Sequence, residues 1–344
     1  MSSSISVPDT MKAIVVSDHG GPEALRYVTD FEVPKNLSEG EILVKNEYAG
    51  LNFIDTYYRT GLYKQELPFV SGQEGAGTVC QVHESVTDFQ VGDRVVYSIL
   101  GTYCEYTRVF ADKAVKLPDT ISMEAALCCM VQGLTAHYLV TDATAGLCNK
   151  GDWMLIYSVG SGTCQWAAQM AKLKGYKVIG TTSENKVSTT IKEACDHLIA
   201  LKVQDGKSHA DYTSVDIHKQ VMEITGGEGV KCIVDGVGKS TADISVQCLA
   251  RRGLWISFGN TSGAVPPFSL LKLTPKSGYV TRPKLGDYVA TKEELQYRTT
   301  EVFELVSTGK VKVNVDGIFP LQDASEAHTY LESGKSKGKI LFKI

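Results

Sequence analysis

Two short stretches of this chain carry residues whose types and spacing suit anion chemistry. One is Val159-Gly160-Ser161-Gly162-Thr163-Cys164, which follows the apolar run MLIYS (154–158) and opens a helical stretch. Glycines there admit a ligand close to the backbone, and a helix starting at the turn aims its free amides and positive dipole end at an anion such as a pyrophosphate. A complete G-x-G-x-x-G is absent, since Gln165 stands three residues after Gly162. Taken alone, the turn is equally well a Gly-rich strand-to-helix loop with no ligand. The other stretch is Gly180-Thr181-Thr182-Ser183-Glu184-Asn185-Lys186, where hydroxyls and a cation suit a ribose phosphate better than a free hydroxyl.

The elements around these stretches decide between the readings. From Trp153 onward strand and helix patterns alternate: MLIYS, a helix from about Gln165 to Lys174, YKVIGT (176–181), a helix from Glu184 to Ala194, and HLIAL (197–201). KCIVDGVG (231–238), a helix through about Leu249 and GLWISFG (253–259) complete the series. Such alternation predicts a parallel sheet covered on both faces, a Rossmann-type doubly wound α/β domain. The Gly turn then sits after the first strand of that series, where a dinucleotide's phosphates bind. Ser183 and Lys186, at the end of the second strand, point to the 2′-phosphate of NADPH; Glu184 is read as an ordinary first-turn acid of the following helix.

The first 130 residues read differently. Short β-branched runs such as AIVV (13–16), EILVKN (41–46), GTVCQV (77–82) and DRVVYS (93–98), separated by turn residues, predict a mostly β domain. Late in the chain, a helix over 291–309 and the strand-like runs VKVNV (311–315) and KILFKI (339–344) do not extend the βα series and are expected to fold back onto that first domain. The polar segment 202–216 lacks periodicity and reads as a surface insertion.

At 344 residues the chain is expected to form about two domains, and 43% hydrophobic with 22% charged residues is the balance of a globular protein. A formal net charge of -4 without a basic stripe gives no footprint for nucleic acid or an anionic membrane surface. No apolar run approaches the roughly 20 residues of a bilayer span, and the start MSSSISVPDTMKAIVV lacks a secretory pattern. Nine cysteines at irregular spacing read as reduced thiols of a cytoplasmic protein.

Asn52-Phe53-Ile54-Asp55-Thr56-Tyr57-Tyr58-Arg59-Thr60-Gly61-Leu62-Tyr63 resembles the signature of the quinone oxidoreductases, the zeta-crystallin-like branch of the medium-chain dehydrogenases/reductases. So do Gly133-Leu134-Thr135-Ala136, Arg252-Gly253 with Ser257-Phe258-Gly259-Asn260-Thr261-Ser262-Gly263, and Val280-Thr281-Arg282-Pro283, in the family's order along nearly the whole chain. The resemblance implies a GroES-like catalytic domain (1–134 and 276–344) around a Rossmann NADPH-binding domain (135–275), with the cofactor in the cleft between them and commonly a homodimer or higher oligomer. Zinc-dependent relatives put Cys at the position of Asn52 and Gly-His-Glu at Gly72-Gln73-Glu74. Amides are poor zinc ligands beside thiolate and imidazole, so the reduction is expected to run without a metal. A quinone suits that chemistry, being electrophilic already and aromatic once reduced, whereas a plain ketone needs polarising.

The same resemblance assigns roles. Asn52 and Phe53 would line the nicotinamide side, with Asn52 holding the carboxamide or a substrate oxygen, and Tyr57 and Tyr63 would face the quinone, stacking on it or giving a proton to its reduced oxygen. Thr135 would contact the cofactor, Gly236, Val237 and Gly238 would shape the turn near the adenosine ribose, and Phe258, Gly259 and Asn260 the nicotinamide-proximal loop. In Ser336-Lys337-Gly338-Lys339, Lys337 would reach the cofactor. The family's A-x-x-G-G-V-G reads here Ser158-Val159-Gly160-Ser161-Gly162-Thr163-Cys164, so Cys164 replaces its last glycine and Ser161 an earlier one. Many members also place a Tyr after the third strand, where this chain has Leu201 and then the insertion with Tyr212. Two rivals share the motifs: an NADPH-dependent reductase of activated carbon-carbon double bonds, and a non-enzymatic NADPH-binding crystallin or RNA-binding protein, the RNA role being disfavoured by the acidic balance.

Overall fold

The computed structural model describes residues 7–160 and 162–344. They form two compact units: residues up to Val131 with Val289–Leu331 and Gly338–Ile344, and Gln132–Tyr288 with Glu332–Lys337.

The first unit contains β1 (Thr10–Val16), β2 (Leu25–Glu32), β3 (Glu41–Leu51), α1 (Phe53–Arg59), β4 (Phe69–Val70), β5 (Gly75–Val82), β6 (Arg94–Tyr97), β7 (Tyr106–Phe110), β8 (Ala114–Lys116) and α2 (Met123–Cys128). The second opens with a π-helical turn ending at Leu134 and α3 (Thr135–Val140). It continues through β9 (Trp153–Ile156), α4 (Gly162–Leu173), β10 (Lys177–Ser183), β11 (His197–Leu201), α5 (Ile217–Ile224), β12 (Val230–Asp235), α6 (Ala242–Cys248), β13 (Leu249–Ser257) and β14 (Tyr279–Thr281). α7 (Lys292–Ser307), β15 (Val315–Pro320), α8 (Ala324–Glu332) and β16 (Lys339–Lys343) follow.

In the second unit six parallel strands run in the order β11-β10-β9-β12-β13-β14. The order reverses between β9 and β12, the switch point at which doubly wound sheets bind ligands. Met154, Leu155, Ile156 and Tyr157 are all fully buried, as expected of a strand covered on both faces. Ala167, Ala168 and Ala171 keep one side of α4 small and buried, so the helix lies close to the sheet.

Where a helix is expected over Glu184–Ala194, there are only two 3₁₀ turns, Glu184–Lys186 and Lys192–Ala194. The run Val187-Ser188-Thr189-Thr190-Ile191 is poor in helix formers, and the hydroxyls of Thr189 and Thr190 crowd onto the Lys186 carbonyl, at 3.1 and 2.9 Å, beside their own backbone N–H groups. Glu184 therefore starts a short turn rather than a helix.

In the first unit a seven-stranded sheet is ordered β15-β16-β3-β5-β6-β8, with β7 also on β3, and a three-stranded sheet is ordered β2-β1-β4. The late strands do fold back: β16 pairs antiparallel with β3, Ile340 opposite Leu51. The run VKVNV is not a strand except at Val315, because the Val311 N–H donates to the Leu305 carbonyl and finishes α7.

Candidate functional site

The Gly turn is built by three tight placements. Ser158 sits in the left-handed region (φ 60), where its N–H donates to Thr181 Oγ1 at 3.1 Å and its hydroxyl bonds the Tyr212 hydroxyl at 2.8 Å. Gly160 has no room for a side chain, since a Cβ there would stand 2.3 Å from Thr182 Oγ1. Gly162 begins α4, with Thr163 half-buried in its first turn. Cys164 is buried, and that burial pushes its thiol up to about 12, beside the Gly236 backbone. It stays a protonated packing group rather than a nucleophile. Ser161 lies outside the described residues.

A cavity of ≈330 Å³ adjoins this turn, with Gly160, Ser183 and Lys186 in its wall. The facing wall comes from Val203–Ala210 and from Ser333, Gly334 and Lys335. Lys186 is buried for most of its length and Ser183 donates to Asn185 Oδ1 at 2.6 Å. A backbone free of Cβ at Gly160, hydroxyls and lysines at one end fit a phosphorylated nucleotide, so the residues suit an NADPH adenosine end. Gly180 is set back from the cavity, packed so that a Cβ would lie 2.6 Å from Cys195 Sγ. Lys337 is half-buried and not in the wall, where Lys335 stands instead.

A second group gathers at the ends of β12 and β13. Gly236 and Gly259 touch backbone to backbone, since a Cβ on Gly259 would lie 2.4 Å from the Gly236 carbonyl oxygen, and Phe258 covers Gly236. Asp235 holds the turn: its carboxylate accepts from the N–H groups of Val237 (2.8 Å) and Gly238 (3.1 Å), from Thr241 Oγ1, and from Trp255 Nε1 (3.0 Å). Arg282 braces the other loop, its Nη1 donating to the carbonyls of Ser257 (2.9 Å) and Gly259 (3.1 Å), next to the buried Asn260. Thr135 is buried at the start of α3, directly after the π-helical turn. Asp235 was not singled out from sequence; its only signal was its place at the end of an apolar strand before G-V-G.

The first unit holds Asn52 in a buried ionic cluster. Lys339, fully buried, pairs with the equally buried Glu74, and its Nζ also donates to Asn52 Oδ1 at 2.8 Å and to the Leu51 carbonyl at 3.3 Å. Asn52 Nδ2 donates to Glu74 Oε1 at 2.8 Å, and Glu74 Oε2 accepts the Val131 N–H at 2.8 Å. The Asn52 amide is thus fixed in one orientation, oxygen to the ammonium and nitrogen to the carboxylate. Asp55 accepts from the Asn52 N–H (2.7 Å) and the Tyr103 hydroxyl (2.9 Å), and burial raises its carboxyl to about 7. It serves the backbone at the start of α1. Phe53 packs on the core around Leu51 and Phe342. Tyr57 and Tyr63 meet edge to face, ring centres 5.2 Å apart.

These residues do not fit zinc. Both Glu74 oxygens are taken by hydrogen-bond donors, Asn52 Oδ1 accepts from an ammonium, and Gln73 offers only an amide. Among the described residues no other group of three His, Cys, Asp or Glu side chains is placed to hold a metal.

Two family models match, an alcohol dehydrogenase GroES-like domain over residues 38–152 and a zinc-binding dehydrogenase over 206–341. Quinone oxidoreductase 1 of Escherichia coli is 40% identical over 330 residues, which is 94% of this chain and 96% of that protein. A 2-haloacrylate reductase of Burkholderia is 32% identical over 342 residues, 96% of this chain and 98% of that protein. The crystal structure of E. coli quinone oxidoreductase complexed with NADPH superposes with a TM-score of 0.89 at 39% identity, covering 97% of this chain and 100% of that one. The fold is accordingly the two-domain one, GroES-like and Rossmann, and the chain belongs to the quinone oxidoreductase family of the medium-chain dehydrogenases/reductases.

Proposed function

We propose that the chain is an NADPH-dependent oxidoreductase that reduces quinones without a metal. The observation carrying this reading is near-full-length identity of 40% to a quinone oxidoreductase, joined to a phosphate cavity with Gly160, Ser183 and Lys186 in its wall. NADPH, when bound, supplies the hydride. Lys186 and Ser183 hold the 2′-phosphate, and the Gly160–Cys164 turn offers amides to the pyrophosphate. Gly236, Val237 and Gly238, with Phe258, Gly259, Asn260 and Thr135, line the rest of the cofactor path. Asn52 acts as an acceptor, because its N–H groups are turned to Glu74 while its oxygen keeps a lone pair beside Lys339. That suits the amide hydrogens of a nicotinamide carboxamide and not a substrate oxygen. Tyr57 and Tyr63 flank the quinone, a hydroxyl giving the proton that the reduced oxygen needs. The catalytic domain is taken as 1–134 with 276–344.

A homodimer or tetramer is part of the same proposal. β14 is the outer strand of the parallel sheet, with Tyr279 and Val280 more than one-third exposed and Leu270 and Leu271 at 70% and 77% nearby. An open strand edge beside a large apolar patch is what a second copy covers. We read the nine unpaired cysteines as those of a protein working in a reducing compartment, in keeping with a cytoplasmic enzyme. Among the described residues no helix is long and apolar enough to cross a membrane.

The test is anaerobic NADPH oxidation against a benzoquinone, an enone and a 2-haloacrylate, with spin-resonance detection of radicals. The quinone should give kcat/KM at least about tenfold above the others. The reverse order would make the acceptor an activated carbon-carbon double bond, in keeping with the 2-haloacrylate reductase relative, and no oxidation with any acceptor would leave a binding protein.

A further inference from the structure

The segment after β11 is tied down more firmly than its polar composition suggests. Its ends close on each other, the Asp211 N–H donating to the Lys202 carbonyl at 3.0 Å. Ser208 Oγ donates to the Thr261 carbonyl at 2.8 Å, and the Tyr212 hydroxyl bonds Ser158 at 2.8 Å. On the remaining side the loop backbone rests on Gly334, which is left-handed (φ 71) and has no space for a side chain, since a Cβ would lie 2.8 Å from the Lys207 carbonyl oxygen. A loop fixed at four places is a wall of the cavity rather than a tether.

The charges on that wall are uneven. Among the described residues, the cavity is lined by Lys186 on one side and by Lys207 and Lys335 on the other, with Asp205 as its carboxylate. A ribose 2′-phosphate carries about −1.5 to −2 near neutral pH. Lys186 alone compensates roughly half of that, and Asp205 offsets one of the two facing lysines. The wall therefore balances the phosphate only with both facing lysines counted beside Lys186.

We propose that the loop is a specificity element, in which Lys207 closes over the 2′-phosphate opposite Lys186 and sets the preference for NADPH over NADH. This rests on the reading that the adenosine end of NADPH occupies this cavity. The signal was absent from the sequence because Lys207 lies about 20 residues beyond the strand end that conventionally selects the cofactor.

Lys207 is exposed, so its substitution does not threaten folding. Affinities of the full-length protein for NADPH, NADH and adenosine 2′,5′-bisphosphate would be measured by calorimetry for wild type, Lys207→Ala, Lys207→Arg and Lys186→Ala. Loss of one charge-assisted hydrogen bond to phosphate should weaken NADPH and the bisphosphate by about tenfold in Lys207→Ala. NADH should stay within about twofold, and Lys207→Arg should retain most of the affinity. An unchanged NADPH-to-NADH ratio in Lys207→Ala, with a fallen ratio in Lys186→Ala, would overturn the role of the loop while leaving the cavity assignment intact. An unchanged ratio in both variants would overturn both.

Discussion

Replacing Lys339 by Met removes the cation from a site where both it and Glu74 have no solvent exposure. Glu74 is left with the Asn52 amide and the Val131 N–H, two neutral donors at 2.8 Å, for a full negative charge. Breaking a buried ion pair from one side costs about 3–5 kcal/mol, because the survivor keeps its desolvation penalty and loses its attraction. That is a large share of the roughly 5–15 kcal/mol that holds a domain folded. Glu74→Gln should cost less, since the Lys339 ammonium keeps the Asn52 and Leu51 oxygens as acceptors. The double variant, neutral at both positions, should be more stable than the sum of the single losses predicts, by about 2 kcal/mol or more. The three tryptophans, Trp153, Trp166 and Trp255, all lie in the Rossmann unit, so their fluorescence does not read this site. Hydrogen exchange of β3 and β5, with urea unfolding followed by circular dichroism, does. Single-variant losses below about 1 kcal/mol that simply add in the double variant would refute the argument that this pair is coupled and buried.

Three further outcomes follow from neighbouring features. Asp55 has its carboxyl raised from 3.8 to about 7, first by burial, so the folded state binds this proton more tightly than the unfolded chain. Its contribution is fully present below about pH 4 and is lost as pH rises to about 7, a change of about 4 kcal/mol by linkage; the stability of wild type relative to Asp55→Asn should fall across that window, and a flat difference would contradict the burial argument. Tyr212→Phe removes the hydroxyl that holds Ser158; unfolding should ease by about 1 kcal/mol and both NADPH and NADH should bind more weakly, whereas a loss confined to NADPH would mean the hydroxyl contacts the phosphate itself. Leu271→Asp places a charge in the exposed patch beside β14, and under the proposed dimer light scattering should show a shift from dimer toward monomer; an unchanged mass would overturn that interface.

How much of this was legible in the sequence depends on the range of the interactions concerned. The alternation of apolar runs and helical stretches after Trp153 is local, and five of the six strands of the parallel sheet follow it, the sixth, β14, being too short to show in that pattern. The tight Gly160 placement was visible as composition, though its cause, Thr182 Oγ1 on the adjacent strand, was not. The segment Glu184–Ala194 misled because its charged ends have a helical pattern, while Thr189 and Thr190 in the middle spend their hydroxyls on Lys186. Tyr212, inside a polar aperiodic stretch, gave no sign that it would be buried against Tyr157, ring centres 5.6 Å apart.

Lys337 and Lys339 show the limit most plainly. Two lysines flank one glycine in Ser336-Lys337-Gly338-Lys339, and nothing local separates them. What separates them is strand register: Ile340 lies opposite Leu51 in the β16–β3 ladder, which brings the preceding Lys339 beside Asn52, at a distance of 288 residues along the chain from Leu51. A shift of one residue would turn that side chain to the other face of the sheet. The same register explains why the metal-ligand positions of zinc-dependent relatives cannot be read one residue at a time. Asn52 and Gln73 remove two donors, but it is the ammonium of Lys339 that occupies Glu74 and Asn52 Oδ1. Restoring a thiolate and an imidazole at those two positions would still leave that cation in the cluster, so the misfit to zinc belongs to the strand pairing that brings Lys339 in as well as to the residues at 52 and 73.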